Sequence, residues 1–276
     1  MSPRALIIFF RLSTLFLAAM FTAEVATAQD APLRMVAAGS LRTAMTEVAR
    51  AFEAGGGPKV TLAFGASGLL RERLEKGEAA DVFASADLGN PQALAKAGKA
   101  GAVTTFARNR LCALVAPGVE VGTDTLLAKM LEPSIKLGIS TPKADPSGDY
   151  AWQLFGKAEA LKSGAQAALE TKALKLTGGP DSPQPPPDRS LYGLMIEQKK
   201  ADIFLTYCTN AAEAAREVAG SRVVAVPEAL AVGADYGLVK LNGAAPSADK
   251  LTAFILGPAG QQILARYGFA PPPAAR

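Results

Sequence analysis

The sequence of 276 residues contains no histidine, only two cysteines and a single tryptophan. Without histidine the chain cannot form a Ser-His-Asp or Cys-His catalytic site, a zinc site built on imidazole, or a site with an imidazole general base. Hydrophobic residues make up 49% of the chain and charged residues 20%, which indicates a globular protein rather than a disordered one. The length is sufficient for one large domain or for two lobes.

Long apolar runs are also scarce, and the one that stands out lies near the N-terminus. It spans Leu12–Phe21, follows a short basic start at Met1–Arg4, and precedes small residues at Ala26–Ala28. This pattern predicts a secretory signal peptide over residues 1–28 that is cleaved before Gln29. An uncleaved anchor is the alternative, but the run is shorter than the about 20 residues that span a bilayer. We therefore expect a periplasmic protein.

The charge is weakly basic, with 29 Lys and Arg against 25 Asp and Glu. Removal of the predicted signal peptide takes away Arg4, Arg11 and Glu24 and leaves 27 basic and 24 acidic residues, a net charge of +3. The basic residues are scattered and form no run of five. Such a charge pattern does not favour nucleic-acid binding. We expect a monomer without a nucleic-acid partner.

The two cysteines, Cys112 and Cys208, raise a question of pairing. An exported protein meets an oxidising compartment, where a disulfide can form and persist. Both cysteines follow short β-like runs, so two buried thiols are the other interpretation. The sequence leaves both possibilities open.

The first hundred residues of the predicted mature chain alternate between strand and helix patterns. The first helix has apolar residues at spacings of three and four, which is typical of one buried face. The βαβαβα order predicts an α/β fold with a doubly wound, mostly parallel sheet flanked by helices, and a binding site at the carboxyl ends of its strands. The predicted strands are Leu33–Ala38, Lys59–Phe64 and Ala80–Ala84, and the predicted helices are Leu41–Phe52, Leu69–Lys76 and Pro91–Ala97.

A similar but looser alternation follows after Asn109, which suggests a second lobe. We expect lobe I to comprise residues 29–109 and 210–276 and lobe II to comprise residues 110–209, with the chain crossing between them near Asn109 and near Cys208. Five prolines between Gly178 and Pro187 exclude a helix or a central strand there and predict an extended surface loop.

Three strand-to-helix turns share a serine, namely Ser40, Ser67 and Ser147. Each serine lies where a helix N-cap belongs, beside free backbone N–H groups and the partial positive charge of a helix start. A single serine of this kind more often stabilises a helix than contacts a ligand. Three that point to one place could bind a small anion without any charged side chain.

These turns and their neighbours carry a resemblance to a known family. In order and spacing they resemble the periplasmic molybdate-binding proteins of ATP-driven (ABC) molybdate importers. The resemblance implies a two-lobed periplasmic-binding-protein fold of type II, molybdate or tungstate as ligand, an ABC permease as partner, no cofactor and no enzymatic activity. The segments that carry it are Ala37–Leu41, Phe64–Leu70, Ala80–Asp87, Asn109–Leu111, Pro146–Tyr150 and Tyr207–Ala211.

The same resemblance implies a set of neutral donors for the oxyanion oxygens, with no direct contact to the metal. Ser40 and Ser67 would each give a hydroxyl and a backbone N–H, and Tyr207 would give its phenolic O–H. Ser147, where the family usually has alanine, would give its backbone N–H. Arg189 falls at the remaining backbone donor of the family.

A site made only of donors favours an oxyanion that is fully deprotonated at neutral pH, such as molybdate, tungstate or sulfate. Hydrogen phosphate carries a proton that needs an acceptor, so we expect it to be rejected unless Asp149 reaches the site. We expect Asp149 to face solvent. Asp181 and Asp188 raise the same concern near the proline-rich loop, where Arg189 would offset them.

Two other functions remain open at this point. One is a carrier or sensor for another anion, such as sulfate or an organic acid. The other is an exported serine hydrolase with Ser67 as nucleophile. The second lacks a Gly-x-Ser-x-Gly elbow around Ser67 and has no histidine to activate the hydroxyl, which leaves only a Ser-Lys variant.

Overall fold

The computed structural model describes residues 31–186 and 189–272. The predicted signal peptide and its cleavage site lie outside these residues, as does Asp188. Among the residues described, none of the helices combines the length and the apolar character needed to span a bilayer.

Strands and helices alternate along most of the chain. The strands are β1 (Leu33–Ala38), β2 (Val60–Gly65), β3 (Val82–Ser85), β4 (Thr104–Val115), β5 (Leu137–Ser140), β6 (Leu174–Thr177), β7 (Ile203–Tyr207), β8 (Arg222–Ala225) and β9 (Gly233–Lys240). The helices are α1 (Arg42–Ala54), α2 (Ser67–Glu75), α3 (Gly89–Lys96), α4 (Leu126–Leu131), α5 (Pro146–Leu161), α6 (Ala165–Lys172), α7 (Leu191–Glu197), α8 (Cys208–Glu217), α9 (Ala248–Leu256) and α10 (Pro258–Arg266).

The strands form a sheet in the order β2-β1-β3-β9-β4-β7-β5-β6, and β8 pairs with β4 beside this path. Strands β1, β2 and β3 pair in parallel, and so do β5, β6 and β7. The long strands β9 and β4 join these two groups through antiparallel pairs. The predicted α/β class is confirmed, with a sheet that is mixed because β4 and β9 run between the parallel groups.

Helix α1 covers one face of the first group of strands, as its spacing predicts. Its residues Ala44, Met45, Val48, Ala49 and Phe52 are buried. The Phe52 ring also packs edge-on against Phe254 of α9, with ring centroids 5.7 Å apart. Burial of this stripe fixes α1, and therefore the turn that precedes it, against the sheet.

Strand β4 is the element through which the chain passes from one group of strands to the other. Its first part, Thr104–Arg110, pairs with β9, and its second part, from Leu111 onward, pairs with β7 and β8. This agrees with a crossing near Asn109. Strand β8 lies beside the second group, although residues 210–276 are predicted in lobe I. The lobe boundaries stay a prediction, and the β8 pairing favours a second crossing after Ala225 instead of near Cys208.

Cys112 and Cys208 form a disulfide, with their Cα atoms 4.8 Å apart and a sequence separation of 96. The question that the sequence leaves open is thereby decided in favour of pairing. Cys112 lies in β4 and Cys208 is the first residue of α8. The bond therefore holds the start of α8, immediately after Tyr207, against the strand through which the chain crosses.

Candidate functional site

A small pocket of about 40 Å³ lies at the carboxyl ends of β1, β2, β3 and β7. Strand ends of this kind are where ligands bind in open α/β sheets. The pocket brings together three of the five predicted ligand donors, Ser40, Ser67 and Tyr207. It is lined by Ala38, Gly39, Ser40, Gly65, Ala66, Ser67, Ala86, Asp145, Tyr192 and Tyr207.

Ser40 and Ser67 lie inside the first turn of their helices and not at the N-cap. Ser40 belongs to a short 3-10 helix, Gly39–Leu41, and Ser67 is the first residue of α2. The N-cap residues are Ala38 and Ala66, which provide no side-chain capping bond. The predicted N-cap role is therefore wrong for both serines. Their hydroxyls are not used for capping, and first-turn N–H groups have no partner within the helix.

The Ser40 hydroxyl is hydrogen-bonded to the phenol of Tyr236, with 2.9 Å between the oxygens. Tyr236 is fully buried, and its phenol oxygen also accepts a hydrogen bond from the side-chain amide of Asn109 at 3.4 Å. The ring packs edge-on against Phe269 at 5.4 Å. Tyr236 therefore fixes the position of the Ser40 hydroxyl, a role that sequence reasoning missed.

The peptide of Ala86 connects Ser67 and Tyr207. Its N–H donates to Ser67 Oγ at 3.1 Å, and its carbonyl oxygen accepts from the Tyr207 hydroxyl at 3.2 Å. Ser67 is fully buried and Tyr207 is 2% exposed. Because Ser67 Oγ accepts from Ala86, its own proton remains available for a further acceptor. Burial raises the pKa of Tyr207 well above its ordinary value, so the phenol keeps its proton. That proton is donated to the Ala86 carbonyl, and the O–H would have to turn away from it to donate to a ligand.

Asp145 is a pocket residue that sequence analysis overlooked. It is the N-cap of α5, and its Oδ1 accepts a hydrogen bond from the Ser147 N–H at 2.9 Å. Desolvation raises the pKa of Asp145 to about 6, with smaller increases from the charges of Asp149 and Asp87, while hydrogen bonds from Ser147 and Ser140 act in the opposite direction. The signal in the sequence is an acidic residue directly before a proline, which is typical of an N-cap followed by N1.

Ser147 does not line the pocket. It is fully buried in the first turn of α5, and its N–H is committed to Asp145. Its hydroxyl is buried and has no hydrogen-bond partner within residues 31–186 and 189–272. The structure thus corrects the prediction that Ser147 is an N-cap whose N–H is free for a ligand, because α5 begins at Pro146 and Asp145 holds the capping position.

Arg189 lies on the surface and outside the pocket. Its N–H donates to the carbonyl of Pro186 at 3.3 Å, and its guanidinium pairs with Glu197 at 2.6 Å and Glu217 at 3.2 Å. This placement differs from the predicted role as a backbone donor, because the chain leaves the proline-rich segment along the surface. Asp181, whose charge Arg189 was expected to offset, is exposed.

Tyr192, near the start of α7 and three residues after Arg189, lines the pocket. Its ring packs edge-on against Phe204 at 5.1 Å. Burial raises the pKa of the phenol, so it is a neutral group in the pocket. Ser190 is the N-cap of α7 and accepts a hydrogen bond from the Gly193 N–H at 3.3 Å. A serine at the start of a helix is the same pattern that draws attention to Ser40, Ser67 and Ser147, so the sequence does contain a signal for a fourth such turn close to Tyr192.

From the sequence we expect Asp149 to face solvent, but its side chain is not fully exposed. It does not line the small pocket either. It is half-buried, and its Oδ1 accepts from the Lys143 N–H at 2.8 Å. With Asp87 and Asp235 it lines a wider neighbouring cavity of about 330 Å³. Desolvation is the main reason that the pKa of Asp149 is raised. In the described part of the chain, these carboxylates do not form a cluster that could hold a metal ion.

Comparison with known proteins identifies the family. The model for bacterial extracellular solute-binding proteins matches residues 33–270. The chain therefore belongs to that family. An uncharacterized protein of Pasteurella multocida is 35% identical over 240 residues, which cover 87% of this chain and 98% of that relative. The molybdate-binding protein ModA of Mycobacterium bovis is 29% identical over 251 residues, which cover 86% of this chain and 83% of that relative.

Among solved structures, the periplasmic molybdate-binding protein of Azotobacter vinelandii matches with a TM-score of 0.70 at 21% identity, covering 87% of this chain and 99% of that one. The predicted type II periplasmic-binding-protein fold and the resemblance to molybdate-binding proteins are confirmed. Family members bind solutes and are not enzymes, so the alternative of a serine hydrolase based on Ser67 is set aside.

Proposed function

We propose that this solute-binding protein captures a tetrahedral oxyanion, molybdate or tungstate, in the periplasm and delivers it to an ABC permease as a monomer. The observation that carries the proposal is the convergence of Ser40, Ser67 and Tyr207 on one pocket. The names of the relatives support molybdate as the solute, and the signal peptide predicted over residues 1–28 supports export.

The pocket suits an anion because its donors are neutral and already oriented. Tyr236 fixes the Ser40 hydroxyl, and the Ala86 N–H fixes that of Ser67. The starts of the 3-10 helix and of α2 add backbone N–H groups and a partial positive charge. Among the described residues that line the pocket, none is Lys or Arg. Binding would therefore depend on helix ends and hydroxyls and little on the net charge of the protein.

Asp145 favours a second candidate, an anion that carries its own proton. A carboxylate oxygen in the pocket can accept a hydrogen bond from the O–H of hydrogen phosphate, whereas it repels molybdate, tungstate or sulfate while it is ionised. An organic acid remains a further alternative of the same class.

The direct test is thermal unfolding of the mature chain, residues 29–276, with molybdate, tungstate, sulfate and phosphate. A ligand at a hundred times its Kd stabilises a protein by about 2.7 kcal/mol, which raises the Tm of a protein of this size by a few degrees. We expect molybdate and tungstate to raise the Tm.

Ser67→Ala should reduce that rise, and Ser163→Ala, at an exposed serine, is the matched control that should leave it unchanged. A rise with sulfate or phosphate alone would reassign the solute. No rise with any of the four anions would contradict an oxyanion carrier.

A further inference from the structure

The pocket contains one carboxylate among donors, and this is unusual for a site that takes anions. Asp145 lines it together with Ser40, Ser67 and Tyr207. A dianion that accepts hydrogen bonds from these donors would share a pocket of about 40 Å³ with Asp145. Two negative charges at contact distance in a partly desolvated site cannot both persist without a proton between them.

Within residues 31–186 and 189–272, no Lys or Arg lines the pocket beside Asp145. Asp149, from α5, and Asp87, from the segment after β3, add negative charge at a greater distance. Tyr192 of α7 and Tyr207 of β7 face it with phenols that burial keeps neutral. A proton is therefore the species that can relieve the repulsion.

We propose that Asp145 and the bound oxyanion share one proton. A fully deprotonated oxyanion such as molybdate is then captured together with a proton that Asp145 takes up from solvent. A hydrogen-bearing oxyanion such as hydrogen phosphate brings its own proton and donates that hydrogen bond to the Asp145 carboxylate. This inference rests on the proposed function as an oxyanion carrier and assigns Asp145 as a residue that determines specificity.

The local geometry allows this role. Oδ1 is engaged by the Ser147 N–H, and the carboxyl group also accepts a hydrogen bond from the Ser140 side chain. A proton on Oδ2 leaves the capping bond at Oδ1 in place. Gly178 approaches that oxygen closely, since a Cβ on Gly178 would lie 2.4 Å from Asp145 Oδ2. The carboxyl group is thus held in one orientation by its capping bond and by the backbone of Gly178. Its pKa of about 6 before any ligand binds shows that protonation near neutral pH is accessible.

The proton requirement predicts that the affinity for molybdate and the affinity for hydrogen phosphate depend differently on pH. Above about pH 6, the fraction of protein with Asp145 protonated falls about tenfold per pH unit, and the apparent Kd for molybdate rises by the same factor. Hydrogen phosphate needs ionised Asp145, so its affinity should not fall in this way over the same range.

The test is isothermal titration calorimetry of the mature chain with sodium molybdate at pH 8, in buffers of different ionisation enthalpy. We expect the wild type to take up about one proton per molybdate bound. Asp145→Asn should take up none, and its Kd should vary little between pH 6.5 and 8.5. Asparagine is as good an N-cap as aspartate, so the substitution preserves the capping bond of α5. Asp149→Asn is the matched control and should behave like the wild type.

Molybdate binding by the wild type without proton uptake, and with a Kd independent of pH, would overturn this inference and leave the proposed function intact. Failure of molybdate, tungstate, sulfate and phosphate to bind at any pH would contradict the proposed function itself. Preference of the wild type for phosphate, with more than tenfold weaker phosphate binding by Asp145→Asn, would support the shared proton and reassign the solute. The wild-type measurement decides the question even if the variant does not fold.

Discussion

The backbone N–H of Gly68 donates a hydrogen bond to the carbonyl oxygen of Ala144, with 2.9 Å between the two atoms. This bond joins the first turn of α2 to the turn before α5, and so brings Ser67 and Asp145, the neighbours of the two bonded residues, to the same pocket. A Cβ on Gly68 would lie 2.4 Å from the carbonyl oxygen of Lys143 and 2.7 Å from that of Ala144. Contact between these two parts of the chain therefore requires glycine at position 68.

Gly68→Ala should weaken ligand binding without loss of the fold. Alanine is favourable in a helix, but its methyl group would force apart the two backbone segments that enclose the pocket. We expect a loss of about 1–3 kcal/mol in binding free energy, measured as Kd by calorimetry. Gly156→Ala, in the interior of α5 with open space around the added Cβ, is the matched control and should leave the Kd unchanged. An unchanged Kd for Gly68→Ala would show that this contact is not needed for binding.

Tyr207→Phe should reduce affinity while leaving the packing in place. The ring would keep its contacts with Tyr150 and Tyr236, whose centroids lie 6.3 Å and 5.5 Å away, but the O–H donor would be lost. Loss of one hydrogen bond to an anion corresponds to about 1.5–3 kcal/mol. Kd by calorimetry and Tm without ligand separate binding from stability. Tyr267→Phe, which removes a phenol hydrogen bond to Glu47 away from the pocket, should not change the Kd.

The predicted donors that the structure brings together in one pocket are those whose position depends on local structure. Ser40 and Ser67 each follow a strand and begin a helix, and the ends of neighbouring parallel strands must lie close together. Tyr207 ends β7, at the same edge of the sheet. The helices that contain Ser40 and Ser67 begin one or two residues earlier than predicted. This small shift places each serine in the first turn of its helix and not at the N-cap.

The residues that sequence reasoning misplaced depend on that shift or on tertiary contacts. Pro146 begins α5, so Asp145 takes the cap and Ser147 becomes buried in the helix. Arg189 follows a proline-rich segment whose path is set by the surface it crosses and not by any periodicity. The pairing of β8 with β4 also depends on a tertiary contact, because the free edge that β4 offers is not visible in the sequence of β8 itself.

The disulfide between Cys112 and Cys208 should make a large contribution to stability. It closes a loop of 96 residues, and a loop of about this length gives about 4–5 kcal/mol in the chain-entropy description. We expect the double variant Cys112→Ala/Cys208→Ala to lose 2–5 kcal/mol, with a Tm lower by several degrees. A reducing agent should lower the Tm of the wild type and leave that of the double variant unchanged. Equal stability of the two proteins would indicate that the bond does not constrain the unfolded chain.

Asp145 should also make the stability of the ligand-free protein depend on pH. Its pKa is about 6 in the folded protein against 3.8 for an ordinary aspartate, mainly because of desolvation, so the folded state binds the proton more tightly than the unfolded state does. The contribution of Asp145 is therefore most favourable below about pH 4, is lost as the pH rises toward 6, and stays lost above it. The change is on the order of 2–3 kcal/mol.

Asp145→Asn removes this titration and keeps the capping bond to Ser147, so the comparison isolates the carboxyl group. Urea unfolding of both proteins between pH 4 and pH 8 should show that the free energy of unfolding of the variant, minus that of the wild type, increases as the pH rises toward 6 and then levels off. Curves that stay parallel over the whole range would mean that the folded protein does not hold a proton on Asp145 more tightly than the unfolded chain. The pocket would then also lack the proton affinity that capture of a fully deprotonated oxyanion beside this residue requires.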